Sequence, residues 1–218
     1  MHAGRAPREP FPRGRHGRDP EEVRASQHER LTGAMLELLA TEGYRRTTVA
    51  RIAATARVSP NRFYDFFENK AACFLAVCDE GGSELLEQLL AIGGPDWRSA
   101  VREGMRVYLR WWRDRPELSH AYFLELPAAG EIAHAQRVRM YDRFRLMFDS
   151  TAARARVEEP ALPPFSPLAS RMVVAGITDV VGEEVRQGRI DRLPDVEPEL
   201  SGLVIALLEG PPARRSDV

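Results

Sequence analysis

Two pairs of side chains in this chain have a spacing suited to metal chemistry. Glu117 with His120, and Glu131 with His134, form Glu-x-x-His units. On facing helices of a bundle, and joined by further inward glutamates from two other helices, such units hold a pair of metal ions. The flanking residues argue against that use. Glu117 follows Pro116 and Glu131 follows Gly130, positions that open helices, where an acid complements the helix dipole without any metal. No Ser-His-Asp set, glycine-rich phosphate loop or zinc-ligand spacing offers another catalytic route. A di-metal carboxylate enzyme is therefore the rival reading; the main one has no catalytic residue, metal or cofactor.

The bulk properties leave room for an ordinary globular protein. A chain of 218 residues buries a real core without disulfides or metal. Cys73 and Cys78, five positions apart in an apolar stretch, read as reduced core thiols. No apolar run approaches the ~18 residues of a membrane span, and the basic N-terminus lacks the apolar stretch of a secretory signal. The expected location is cytoplasmic, with no membrane partner. The net charge of -1 hides an asymmetry: residues 1–70 carry 13 Lys and Arg against 9 Asp and Glu, which leaves 18 against 23 for residues 71–218. A basic head on an acidic body suits a protein that meets phosphates at one end.

The elements that would position such a head follow from apolar spacing. Residues 1–20, with Arg5, Arg8, Arg13, Arg15 and Arg18 among prolines and glycines, have nothing to bury and read as a disordered basic arm. From Glu21, the spacing of Leu31, Ala34, Met35, Leu38 and Leu39 predicts a helix that Gly43 stops. Val49, Ile52, Ala53 and Ala56 predict a second, opened by Thr47 or Thr48. Ser59 and Pro60 start a third, with Phe63 and Phe67 inward. A long fourth helix begins at Asn69 and runs toward Leu90, with a kink expected at Gly81 and Gly82. Two short helices joined by about three residues match the geometry that lays a recognition helix in the major groove.

Glu37-Leu-Leu-Ala-Thr-Glu-Gly-Tyr44, Thr47-Thr-Val-Ala-Arg-Ile-Ala53, Val58-Ser-Pro-Asn-Arg-Phe-Tyr-Asp-Phe-Phe67 and Lys70 together resemble the DNA-binding domain of the TetR family. The resemblance covers about fifty residues and is compound, since each piece must appear in order and at its spacing. It implies an all-α regulator with a three-helix helix-turn-helix domain over residues 21–70, an effector-binding and dimerisation domain over 71–210, and a tail over 211–218. It implies that Thr48, Ser59, Tyr64 and Lys70 hold the phosphate backbone, which positions the protein without choosing sequence. Base reading then falls to Pro60, Asn61, Arg62 and Asp65, with Asn61 suited to adenine and Arg62 to guanine or phosphate. Two positions depart from the family pattern. Arg57 stands where glycine is usual, and a left-handed backbone there would cost roughly 1 to 2 kcal/mol. Phe66 replaces a frequent histidine and either meets a thymine methyl or packs inward.

Beyond residue 90 the resemblance rests on helix content and size. Trp97, Val101, Met105, Tyr108, Leu109 and Trp112 share a helical face ended by Pro116. A short helix from Pro116 to Leu126 brings Tyr122 and Phe123. A long one from Glu131 lines up Met140, Tyr141, Phe144, Met147, Phe148 and Thr151. The resemblance implies an apolar cavity among these helices, so Met105, Tyr108, Trp112, Tyr122, Phe123, Met140, Phe144, Met147 and Phe148 are its expected walls, and the effector is expected to be a small apolar or aromatic molecule. After a proline-rich loop over 158–167, two last helices carry Ala169, Met172, Val173, Gly176, Ile177, Val180 and Val181, then Leu200, Leu203, Val204, Leu207 and Leu208. The resemblance assigns Ala169, Met172, Val173, Gly176, Val180, Leu200, Leu203, Val204 and Leu207 to a homodimer interface; burial within one chain is the alternative for either helix. The function implied is a repressor released by effector from a palindromic double-stranded DNA operator. A constitutive DNA-binding protein is the third reading.

Overall fold

The computed structural model describes residues 19–210. The expected basic arm, apart from Asp19 and Pro20, and the expected tail at 211–218 lie outside the described residues.

Every regular element among the described residues is helical, and local chemistry explains most of the boundaries. α1, Pro20–Glu42, starts under an Asp19 cap with proline in its first turn, and it stops at Gly43, whose φ of 77° a side chain would resist. α2, Val49–Thr55, is capped by the Thr48 hydroxyl, which accepts the Arg51 N–H. α3, Pro60–Tyr64, is capped in the same way by Ser59, and α4, Lys70–Leu90, by Asn69. α5 is Trp97–Arg113 under Asp96. α6 begins as Pro116–His120 and continues without a break through a π turn, Ala121–Glu125, and a 3-10 turn, Leu126–Ala129. It is not the single short α-helix expected to Leu126. α7, Glu131–Glu158, and α8, Pro167–Arg186, flank the proline-rich loop, and a 3-10 turn, Ile190–Val196, leads into α9, Glu197–Glu209.

A single core threads these helices. Leu31, Met35, Leu39, Ile52 and Phe63 are sealed between α1, α2 and α3, and Trp97, Leu109, Val181 and Leu193 lie at the centre of the larger body. Each such side chain contributes about 1.5 to 3 kcal/mol on burial. The α1 helix packs on both α4 and α6, α5 on α9, and α7 on α8. Gly81 and Gly82 do not interrupt α4. They let neighbours close in: a Cβ on Gly81 would lie 2.7 Å from Leu118, and one on Gly82 would run into the Met140 thioether.

The turn from α2 into α3 has the strain anticipated at Arg57. Its φ is 55°, the single positive value at a non-glycine residue among those described. The Arg57 N–H donates to Ala54 C=O at 3.1 Å and the Val58 N–H to Ala53 C=O at 2.9 Å, the paired bonds of a Schellman ending that glycine normally occupies. Arg57→Gly is therefore expected to raise the free energy of unfolding by about 1 kcal/mol, read as a higher denaturation midpoint. Unchanged stability would mean that contacts of the arginine side chain already offset the strain.

Candidate nucleic-acid interface and ligand cavity

On α3 and its cap, Ser59, Pro60, Asn61, Arg62, Tyr64 and Asp65 are exposed while Phe63 is sealed beneath them. Tyr64 in particular is 58% exposed, a large ring left in water on a helix five residues long. Arg62 and Asp65 already hold each other, Nη1 to Oδ2 at 2.8 Å, and Arg62 Nε donates to Gln27 Oε1 at 2.8 Å. These contacts occupy part of the donor and acceptor capacity that either residue would bring to a base. Phe66 takes the inward alternative: Arg24 stacks 4.7 Å above its ring, and His28 lies 6.0 Å away. It fastens the end of α3 to the start of α1.

Lys70, expected on a phosphate, holds the protein's own backbone. Its Nζ donates to the Tyr44 C=O at 2.8 Å and to the Thr47 C=O at 2.9 Å, and it sits 4.3 Å from the Tyr44 ring centre. Burial lowers its pKa. The ammonium clasps the turn between α1 and α2, a role invisible to motif comparison because both carbonyls are more than twenty residues away. Thr48 and Ser59 cap helices and also expose their first turns. Arg45, also exposed, makes no ion pair among the described residues and adds a cation that the motif reading had not singled out.

Behind this head lies an apolar cavity of about 240 Å³. Eight of the nine expected wall residues line it: Met105, Tyr108, Trp112, Tyr122, Met140, Phe144, Met147 and Phe148. Phe123 does not. It packs edge-on to Trp112 and against Gly182 of α8, where a Cβ would stand 3.1 Å from its ring. The walls missed by sequence include Cys78, Leu85 and Leu89 of α4 and Val174, Ile177 and Thr178 of α8. The α4 set recurs at helical spacing, which was a usable signal, but one indistinguishable from ordinary core. Burial pushes the Tyr108 hydroxyl up to about 12 and raises Tyr122 as well, so both are neutral polar tips in an oily chamber. The Trp112 Nε1–H is buried without a hydrogen-bond partner. Cys73 and Cys78 are free buried thiols, each pushed up to about 12 by burial, and so are poor nucleophiles.

The last two helices divide the expected interface. Val173, Leu200 and Val204 are buried within the chain, which corrects their assignment to a contact between copies. Met172, Leu203 and Leu207 are 63%, 56% and 50% exposed, Gly176 is exposed beside them, and Ala169 and Val180 are half-buried. The Glu-x-x-His pairs gather no further ligands: among the described residues no three His, Cys, Asp or Glu side chains form a metal-binding group. No helix among them is long and apolar enough to cross a membrane.

Residues 31–77 match the family model of bacterial regulatory proteins of the tetR family. No curated protein matches the chain. Among solved structures, the fatty acid degradation regulator FadR from Bacillus halodurans superposes with a TM-score of 0.75 at 16% identity, over 88% of this chain and 97% of that one. FadR from Bacillus subtilis, solved in complex with stearoyl-CoA, gives 0.74 at 15% identity over 82% and 98%. A tetR-family regulatory protein from Rhodococcus RHA1 gives 0.65 at 19% over 84% and 96%. At these identities the likeness to the solved structures is one of fold.

Proposed function

We propose that this chain, whose residues 31–77 match the tetR-family model and whose fold is shared with FadR, is a DNA-binding transcriptional regulator of that family, and more finely a cytoplasmic, homodimeric repressor that a small apolar effector releases from a palindromic operator. The division of labour is residues 21–70 for DNA and 71–210 for effector and dimer. One observation carries the reading. α4 begins at Lys70, on the turn that holds α2, and lines the cavity with Leu85 and Leu89, so one rigid helix spans about 22 Å between the two sites at 1.5 Å per residue. A ligand that fits the cavity better when α4 is displaced favours the displaced state by its difference in affinity, and that displacement changes the separation of the two recognition helices. Thr48, Ser59, Tyr64 and Arg45 meet phosphates in this reading, while Asn61, Arg62 and Asp65 read bases. Pro60 shapes the first turn of α3. The stearoyl-CoA complex of the Bacillus subtilis relative makes long-chain acyl thioesters the first effectors to test on this apolar cavity.

The test is binding of the purified protein to its own upstream DNA and to a scrambled duplex at fixed salt, with and without stearoyl-CoA, alongside Tyr64→Phe. Selective binding by the wild type is expected, weakened roughly threefold to tenfold in Tyr64→Phe, which loses one hydroxyl-to-phosphate bond of about 0.5 to 1.5 kcal/mol. Equal, weak binding to both duplexes would sink the regulator reading for that DNA. Selective binding untouched by a thioester that demonstrably occupies the cavity would leave a constitutive binder.

A further inference from the structure

We infer that Glu125 is the contact through which the cavity acts on the DNA-binding helices, an inference that rests on the regulator reading above and names its route of regulation. The α6 helix changes its winding where it serves two places at once. Its π turn, Ala121–Glu125, sets Tyr122 in the cavity wall, 5.2 Å from the Trp112 ring. Three residues later the same turn delivers Glu125 to the junction of α1 and α2. There Glu125 Oε2 accepts the Tyr44 N–H at 2.7 Å. Gly43 makes the approach possible, because a Cβ on it would lie 3.1 Å from that same oxygen. π turns break the regular α-helical ladder and recur at functional sites.

The junction it touches fixes the position of α2. The Tyr44 and Thr47 carbonyls accept from Lys70 Nζ, and Thr47 donates its N–H and Oγ1–H to the Gly43 C=O at 3.2 and 2.9 Å. The next residue, Thr48, caps α2. A carboxylate on α6 and an ammonium on α4 therefore both hold Tyr44, by its N–H and its C=O, and the ammonium also holds Thr47 at the far end of the same short segment. These bonds are charge-assisted and stronger than neutral ones. A molecule that displaces Tyr122 moves the turn that carries Glu125, so it either drags the junction or releases it. In both cases the Thr48 cap and the α2 helix, on which α3 packs, change position relative to the body.

Hydrogen–deuterium exchange on the full-length protein tests this without needing an effector. The Tyr44 amide and segment 43–48 are followed in wild type, Glu125→Gln, Glu125→Ala, Tyr122→Leu, and Tyr122→Leu combined with Glu125→Ala. Exchange at Tyr44 is expected to accelerate about tenfold or more in Glu125→Ala, and less in Glu125→Gln, which keeps a neutral acceptor. Tyr122→Leu, altered on the cavity side, is expected to accelerate the same amide, with no further gain in the double variant. Amides in α8 and α9 report global loosening; if they accelerate too, Tyr122→Met, with a side chain of greater reach, replaces the leucine variant. Unchanged Tyr44 exchange in the Tyr122 variant, or independent multiplied effects in the double variant, overturns the inference. Operator binding on the same proteins separates the two claims. Selective binding with no exchange coupling sinks the Glu125 route alone, whereas absence of selective binding in wild type sinks the regulator reading and leaves the exchange result standing.

Discussion

Replacing Lys70 by methionine is expected to lower the free energy of unfolding by about 2 to 3 kcal/mol and to leave the salt dependence of operator binding unchanged. Motif comparison places this residue on a phosphate; its geometry places it on two backbone carbonyls, Tyr44 at 2.8 Å and Thr47 at 2.9 Å. Hydrogen bonds from a charged donor contribute roughly 1.5 to 3 kcal/mol each, and the contact with the Tyr44 ring adds about 0.5 to 1 kcal/mol. Desolvation, which lowers the Lys70 pKa, takes part of that back. Methionine keeps an apolar stem over the Tyr44 ring, so the loss reports the ammonium itself. Denaturation at fixed protein concentration reads the stability change, because dimerisation would shift apparent stability by mass action. The two roles separate cleanly in the binding data. A phosphate contact would reduce the slope of log K against log salt by about 1 and leave stability nearly untouched. A clasp on the junction lowers stability and weakens operator binding at every salt concentration alike.

What the sequence made legible was what short-range chemistry decides. Thr48, Ser59 and Asn69 were readable as helix starts because a capping oxygen bonds an N–H three residues on. The inward stripes of α5 and α7 were readable because Met105, Tyr108 and Trp112, like Met140, Phe144 and Met147, recur at the helical period; that they wall a cavity instead of filling a core was implied only by the family resemblance. Two of the failures are long-range, and one is a change of helix winding. Lys70 chose its partners across the α1–α2 junction, and Glu125 chose one 81 positions away, a separation about which a local pattern is silent. Phe123 left the cavity because the π turn changes which side of α6 each residue faces, and nothing in the run Ala-Tyr-Phe-Leu-Glu announces a π turn. On α8, Met172 and Val173 are adjacent and both apolar, yet one is exposed and the other buried. Periodicity finds the stripe, but the packing of α7 and α9 decides which edge of it remains open.

That open edge carries the second large prediction. Leu168, Met172, Leu203 and Leu207 are each at least half exposed, with Gly176, Gly202 and Ala206 also exposed on the same two helices. Exposed apolar side chains interspersed with small residues form a surface on which a second copy can pack closely, whereas a lone subunit pays in solubility for showing it. The double variant Met172→Glu with Leu207→Glu is expected to leave the far-ultraviolet circular dichroism unchanged, because neither side chain supports the core, and to run as a monomer by light scattering. Operator affinity should then fall about a hundredfold or more, since each recognition helix loses the effective concentration, of order millimolar, that a tethered partner supplies at the second half-site. A variant that stays dimeric would place the interface elsewhere. A monomer that binds its operator as tightly as the wild type would mean that one half-site suffices, and the relative position of the two heads could not then be what an effector controls. In that case regulation would have to act within a single head, through the junction that Lys70 and Glu125 hold from either side.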